Sequence, residues 1–236
     1  MVKGRQFKDF RDVGDPVSSA RIYNAQQVDE LAFLDIDASH QQRSTLLHII
    51  EEVSRECFMP FTVGGGIKTI EQVRDLLRAG ADKVLINTSA IETPGLVEGA
   101  ASIFGRQCIV AGIDVRREGD RYRVYTHSGR VATDISLADH LKQLELSGAG
   151  EIFINSIDHD GMMKGYDMEL LRIVKATTSL PVIACGGAGH FQHLADAFQM
   201  VGVHAVACAS LFHFGDNNPI RARSFLKNKG IPVKTI

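Results

Sequence analysis

Landmarks in this sequence recur at a constant spacing of 121 residues, which restricts the possible folds more than any other feature. The pairs that superpose without a gap are Glu30 and Glu151, Asp37 and Asp158, Pro60 and Pro181, Gly65 and Gly186, Gly66 and Gly187, and Ser89 and Ser210. Chance does not readily produce a constant offset over so long a stretch. The repeat therefore predicts two halves that share one fold.

Short apolar segments alternate with longer amphipathic segments along the chain. We predict strands at 30–36, 60–63, 83–87, 108–113, 151–157, 181–185 and 205–209, and helices that include 44–57, 69–80 and 167–178. Nearly continuous apolar strands separated by helices indicate a parallel sheet, and βα units repeated this often favour a closed barrel. The sequence thus predicts an α/β fold, a (β/α)8 barrel. We expect one domain, 1–236, with half-barrels at about 1–106 and 107–236.

An eight-stranded barrel needs one strand more than these seven. The segment 108–117, which ends its apolar part at Asp114, has no counterpart, because the offset places its equivalent before Met1. We therefore expect that the first strand is missing from this chain. Seven strands alone would leave two unpaired sheet edges.

Composition argues against several classes of partner. With 26 basic and 28 acidic residues, the chain offers no electrostatic footprint for nucleic acid or an anionic membrane. Its apolar runs are too short to span a bilayer, and the N-terminus has no apolar signal segment. The four cysteines show no CxxC spacing and the nine histidines are scattered. We expect reduced thiols in a cytoplasmic protein, with no metal site and no cofactor.

Two glycine-rich segments follow predicted strands at positions related by the repeat. They contain Gly65-Gly66 and Gly186-Gly187, and one strand later each half carries a small hydroxyl residue, Thr88 or Ser210. Glycines there let backbone N–H groups approach an anion beside a helix N-terminus. One interpretation is turn geometry alone. The other is a pair of phosphate sites across the barrel mouth, suited to a substrate with a phosphate at each end.

Several carboxylates lie at or just after the predicted strand ends: Asp35, Asp37, Asp114, Asp158 and Asp160. In parallel α/β barrels the catalytic residues occupy this face. A half-buried carboxylate there could act as an acid or a base. The alternative interpretation of each aspartate is that it caps a helix or forms a salt bridge.

The opposite ends of the strands carry Glu30, Lys83 and Glu151. Residues on that face of a barrel usually serve stability, so an ion-pair ring is the default interpretation.

These segments resemble the cyclase subunit family of imidazole glycerol phosphate synthase. The resemblance runs from Lys3 to the C-terminus and rests on segments such as FKDFRDVGDPV, DELAFLDIDAS, FTVGGGIKT, GADKVLINTSA, GAGEIFINSIDHDG and SLFHFG. It implies a barrel that forms a heterodimer with a glutaminase subunit. Ammonia released there would cross the barrel and convert a phosphoribulosyl-formimino aminoimidazole carboxamide ribotide, which carries two phosphates. The products would be imidazole glycerol phosphate and aminoimidazole carboxamide ribotide, in histidine biosynthesis.

The resemblance also implies roles for individual residues. Asp114 matches one of two catalytic aspartates, and the other would end the missing first strand. Phosphate or substrate would be bound by Lys3, Gly65, Gly66, Asn87, Thr88, Ser128, Asp160, Gly161, Gly186, Gly187, Ala209 and Ser210. Glu30, Lys83 and Glu151 match three members of the charged gate through which ammonia enters, which overrides the stability interpretation. Without its first strand the chain should show weak cyclase turnover.

Some positions depart from the family pattern. Asn155 and Cys185 stand where the family usually has Thr and Ser, and Met162 replaces a usual Thr. The tail resembles a paralogue branch of polysaccharide operons, in which the barrel would conduct ammonia to a sugar-amidating enzyme. A third alternative is the phosphoribosyl isomerase of the same pathway, which needs no glutaminase.

Overall fold

The computed structural model describes residues 1–36, 47–213 and 216–234, apart from the side chain of Lys3. The strands are β1 (Val2–Arg5), β2 (Lys8–Asp12), β3 (Leu31–Leu34), β4 (Phe61–Gly64), β5 (Lys83–Ile86), β6 (Ile109–Glu118), β7 (Arg121–Thr126), β8 (Val131–Ser136), β9 (Glu151–Ser156), β10 (Val182–Cys185) and β11 (Ala205–Val206). The helices are α1 (Pro16–Ala25), α2 (Leu47–Ser54), α3 (Ile70–Arg78), α4 (Thr88–Glu92), α5 (Leu96–Phe104), α6 (Leu137–Leu146), α7 (Met168–Thr177), α8 (Phe191–Asp196), α9 (Ser210–His213) and α10 (Pro219–Asn228). A π-helical turn, Ala197–Val201, continues α8.

Seven parallel strands form a curled sheet in the order β3-β4-β5-β6-β9-β10-β11. All seven coincide with the strands predicted from the sequence, and helices connect most neighbours. The α/β prediction is therefore confirmed, and the arrangement is that of a (β/α)8 barrel. Strands β3 and β11 lie at the two ends of the order.

Helix boundaries follow local capping chemistry. Thr69 and Gln72 form a capping box at the start of α3, and Asp15 caps α1 directly before Pro16. These contacts satisfy N–H groups that have no partner inside a helix. The predicted helices at 69–80 and 167–178 match α3 and α7. The predicted helix at 44–57 contains α2, and its first residues, like Asp37, lie outside the described residues.

The sequence did not predict the antiparallel hairpin that extends the sheet. Strand β6 continues to Glu118 and pairs with β7, which pairs with β8. Arg123 forms cross-strand ion pairs with Glu118 at 3.3 Å and with the exposed Asp134 at 2.8 Å, and Val124 of β7 packs in the core. The segment is polar and charged, so hydrophobic periodicity alone did not reveal its strands.

A second hairpin, β1–β2, lies against the loop that follows β9. The backbone N–H of Gln6 donates to the carbonyl of Asp160 at 2.8 Å, and its side chain donates to the carbonyl of Asp158 at 3.0 Å. The hairpin therefore lies at the carboxyl ends of the parallel strands, where the predicted site residues are.

The core has two layers because residues of the buried strands alternate in direction. On β9, Ile152 and Ile154 pack in the large cluster formed with the helices, whereas Phe153 packs with Leu85 and Val110 in a small separate cluster. The small cluster lies on the inside of the curled sheet. It separates the polar residues at the two ends of the strands.

Candidate active site

The centre of the site is the carboxylate of Asp114, near the carboxyl end of the parallel part of β6. The pairing of β6 with β9 places Asp114 directly opposite Asn155. Nδ2 of Asn155 donates to Oδ1 of Asp114 at 3.2 Å, and Nδ2 of Asn87 donates to Oδ2 at 2.8 Å. Asp114 is buried. Each carboxylate oxygen thus has a carboxamide donor from a neighbouring strand.

Burial and hydrogen bonding act on this carboxyl in opposite directions. Removal from water raises the pKa of Asp114, the hydrogen bonds from Asn155 and Asn87 lower it, and the charge of Asp160 raises it. Burial outweighs the two donors, and the pKa of Asp114 is raised to about 6. A carboxyl with such a pKa is ionised at neutral pH and still basic enough to accept a proton.

The two glycine-rich turns have the same geometry in both halves. Gly65, Gly66, Gly186 and Gly187 all adopt positive φ angles. A Cβ at Gly65 would collide with the carbonyl of Asp35, and a Cβ at Gly186 would lie 2.7 Å from the carbonyl of Ser156. Asp35 and Ser156 are themselves related by the 121-residue offset. Close approach to the preceding strand therefore requires glycine in both turns.

Hydroxyl residues accompany both turns. Thr88 and Ser210 are buried at the first positions of α4 and α9, and Ala209 directly precedes Ser210. Oγ1 of Thr88 accepts a hydrogen bond from the N–H of His127 at 3.0 Å, and the hydroxyl of Ser128 donates to the carbonyl of Ile36. The tip of the β7–β8 hairpin thus reaches the same face as the glycine turns.

Asp160 and Gly161 lie under the β1–β2 hairpin. Asp160 is buried, and a Cβ on Gly161, at φ +70°, would collide with the carbonyl of Gly4. Lys3 belongs to this hairpin, where its backbone pairs with Arg11, and its side chain lies outside the described residues.

The charged cluster occupies the other end of the strands. Nζ of Lys83 lies 3.0 Å from Oε2 of Glu30 and 2.9 Å from Oε1 of Glu151, and Thr62 donates to Oε1 of Glu30 at 2.7 Å. Burial acts to lower the pKa of Lys83, but the two carboxylates outweigh it and raise the pKa. Lys83 therefore remains protonated between two negative charges.

Most of the predicted site residues fall into two groups. The structure brings Asp114 and Asn87 into contact and gathers the glycine turns, their hydroxyl residues and Asp160 at the carboxyl ends of the strands, with Glu30, Lys83 and Glu151 opposite. The resemblance implied a phosphate-binding role for Asn87, which stays a prediction, and the structure shows that its carboxamide donates to Asp114. Sequence reasoning did not predict the hydrogen bond from Asn155 to Asp114 or the one from His127 to Thr88. For the Asn155 bond a signal was available, because Asp114 and Asn155 lie at matching positions of their two strands.

The described residues contain no group of three or more His, Cys, Asp or Glu side chains placed to hold a metal ion. None of the helices in these ranges is long and apolar enough to cross a membrane.

Comparison with known proteins gives two matches. Residues 1–218 match the family described as histidine biosynthesis protein. The chain is also 48% identical over 235 residues to imidazole glycerol phosphate synthase subunit HisF of Hyphomonas neptunium (strain ATCC 15444). This alignment covers 100% of the chain and 93% of the relative.

Replacing Gly187 with Ala tests whether the second turn is built for close packing. A Cβ there would collide with the carbonyl of Gly165, whose N–H donates to the Gly187 carbonyl at 2.8 Å. We expect a loss of unfolding free energy of about 3 kcal/mol, the combined cost of overpacking and a positive φ angle. Chemical denaturation measures it.

Gly202→Ala is the matched control, because Gly202 also has a positive φ angle, +75°, but open space around it. It should cost only about 1 kcal/mol. Equal losses in the two variants would show that the turn does not depend on close approach.

Proposed function

Because the chain belongs to the histidine biosynthesis protein family, we propose that it is the ammonia-dependent cyclase subunit of an imidazole glycerol phosphate synthase. The substrate is the phosphoribulosyl-formimino aminoimidazole carboxamide ribotide. Ammonia derived from glutamine converts it to imidazole glycerol phosphate and aminoimidazole carboxamide ribotide, with the release of one water. The observation that carries this proposal is the buried, carboxamide-bound Asp114 on the face that holds two equivalent glycine turns.

The glycine turns would bind the two phosphates. Gly65 and Gly66 with Thr88 form one site, and Gly186 and Gly187 with Ser210 form the other. Backbone N–H groups and a hydroxyl suit a phosphate, and the repeat explains why one chain has two such sites. Ser128, Asp160 and Gly161 would contact the substrate between them, and Lys3 would reach it from the β1–β2 hairpin.

Asp114 would move the proton. Ammonia that attacks an electrophilic carbon gains positive charge on nitrogen and must lose a proton to a base. A carboxylate with a pKa of about 6 accepts that proton at neutral pH and can return it when the carbon–nitrogen bond of the leaving ribotide breaks. The hydrogen bonds from Asn87 and Asn155 hold its oxygens in place during both steps.

The cluster of Glu30, Lys83 and Glu151 would form the entrance for ammonia. It lies at the amino-terminal ends of the strands, and the apolar side chains Leu85, Val110 and Phe153 line the way to Asp114. An apolar interior suits neutral ammonia better than ammonium, because burying an unpaired cation is costly.

A glutaminase subunit would dock on the face that carries this entrance, forming a heterodimer. Among the described residues, the four most exposed large apolar side chains are Phe58 at 85%, Leu146 at 82%, Met200 at 60% and Ile103 at 56%. Each lies at or just after the carboxyl end of a helix. Helices run opposite to strands in a βα unit, so these ends share a face with the amino-terminal ends of the strands. Exposed apolar side chains around a polar centre are typical of a protein interface.

The chain would act as a single domain of cytoplasmic location, with half-barrels at about 1–106 and 107–236. Strands β3 and β4 lie 121 positions before residues of β9 and β10, which supports two equivalent halves. The shared geometry of the two glycine turns supports them as well.

Asp114→Asn should lower the rate of ammonia-dependent cyclisation by about 10²–10⁴-fold, the usual effect of losing an acid–base group. Substrate affinity should stay within a few fold, because the phosphate sites are intact. Steady-state kinetics with ammonium chloride, together with calorimetric binding of the substrate, measure both quantities.

Asp134→Asn is the control, because Asp134 is almost fully exposed on the β7–β8 hairpin. It should leave turnover unchanged. Full turnover in Asp114→Asn would remove Asp114 from the reaction, and a wild-type protein that binds the substrate without converting it would contradict the cyclase proposal.

Phe58→Asp should weaken glutaminase binding by at least about 30-fold, because an aromatic anchor of an interface typically contributes 2 kcal/mol or more. Ile173→Asp, on the outer surface of α7, should have little effect. Surface plasmon resonance with the glutaminase of the same organism measures both affinities. Equal affinities of the two variants would place the docking surface elsewhere.

A further inference from the structure

We infer that Asn155 is a positioning residue for Asp114, and that it occupies the fifth position of β9 to hold that carboxylate rather than to pack the barrel. The inference rests on the proposed role of Asp114. Asn155 was expected from the sequence only as a departure from the family pattern.

The pairing of the strands puts Asn155 at the one position from which β9 can reach Asp114. Asp114 lies opposite Asn155, and Asn155 lies opposite Cys185 on the next strand. Only a side chain with an N–H or O–H group can donate to a carboxylate. Asn155 supplies such a group to Oδ1 from β9, while Asn87 supplies one to Oδ2 from the other side.

The side-chain oxygen of Asn155, Oδ1, is buried and accepts no hydrogen bond from the described residues. The orientation of the amide is fixed, because exchanging its oxygen and nitrogen would set an acceptor against an ionised carboxylate. An unsatisfied buried oxygen destabilises a fold, so packing and stability do not account for an asparagine here.

Oδ1 of Asn155 faces the second glycine turn. A Cβ on Gly186 would lie 2.7 Å from this oxygen, so glycine at position 186 allows the turn to lie against it. None of the described residues donates to this buried oxygen, which makes asparagine a poor choice for packing alone. The donation to Asp114 accounts for an asparagine at this position.

Two donors, one on each oxygen, fix the rotation of the carboxylate about its terminal torsion. They also favour its ionised form. Burial has the largest effect on the pKa of Asp114 and raises it, the hydrogen bonds from Asn155 and Asn87 lower it, and the charge of Asp160 raises it. Cys185 is the titratable residue in the next strand at the same level. Loss of the Asn155 donor should therefore raise the pKa of Asp114 further.

The experiment compares Asn155→Leu and Asn155→Ala with the wild type by NMR titration of the 13C-labelled aspartate carboxyls. Asp114→Asn assigns the Asp114 signal. We expect the Asp114 pKa to rise by about one unit in both variants, a tenfold change in proton affinity. The alanine variant serves as a control for any change in the pKa that the larger leucine side chain itself causes.

Ile154→Val is the matched control. Ile154 is the neighbouring residue on β9, fully buried and on the opposite face, in the cluster packed against the helices. This variant should lower the unfolding midpoint and leave the pKa of Asp114 unchanged. A structural role for Asn155 would give the same pattern as this control.

Unfolding measured against pH gives a second readout. Above the wild-type pKa of about 6, the folded wild type releases the Asp114 proton, whereas the folded variants still hold it. The unfolded chains have released it already. The variants should therefore lose stability relative to the wild type as pH rises through about 6 to 7, and the difference should be constant below that window.

An Asp114 pKa that moves by less than about 0.3 unit in both variants, or a stability difference that does not change with pH, would overturn the inference. In the cyclisation assay the acid limb of the pH profile should shift upward with the pKa. If the wild type shows no cyclisation, the proposed function fails, while the titration still decides the role of Asn155.

Discussion

The hydrogen bonds to the Asp114 carboxylate are the interaction on which the rest of the site depends. They exist because the register of β6 and β9 sets Asp114 opposite Asn155, while Asn87 follows β5 on the other side. A shift of one residue between β6 and β9 would turn Asn155 towards the helices and leave Oδ1 of the buried Asp114 carboxylate without its donor. The apolar packing of the strands therefore also determines the chemistry, because it fixes that register.

The inside of the curled sheet is polar at both ends and apolar between them. Alternation along β9 gives Glu151, Phe153 and Asn155 on the inner face, so one strand contributes to the proposed ammonia entrance, to the apolar section and to the surroundings of Asp114. Both of the buried side-chain oxygens without a donor among the described residues, Oε2 of Glu151 and Oδ1 of Asn155, belong to this strand. Polar side chains at both ends thus leave local costs in stability, which the large cluster between sheet and helices offsets.

The sequence predicted the parallel strands and the glycine turns because both depend on local signals. Apolar segments of four to seven residues and the 121-residue offset indicated β3 to β6 and β9 to β11, and the offset also related the two turns. The sequence could not predict the hydrogen-bond partners of Asp114, because strand register decides which carboxamide side chains reach its carboxylate. The β7–β8 hairpin was missed because charged residues such as Arg123 and Asp134 interrupt its hydrophobic pattern, although Val124 of β7 is buried in the core. Its contact with Thr88 through His127 was therefore also beyond sequence reasoning.

A crystal structure with the substrate bound would test the central claim most directly. The account predicts one phosphate on the backbone of Gly65 and Gly66 beside Thr88, and the other on Gly186 and Gly187 beside Ser210. The middle of the ligand should then cross above Asp114, within hydrogen-bond distance of its carboxylate. A ligand that places a phosphate away from either glycine turn, or that leaves Asp114 without contact, would contradict the account.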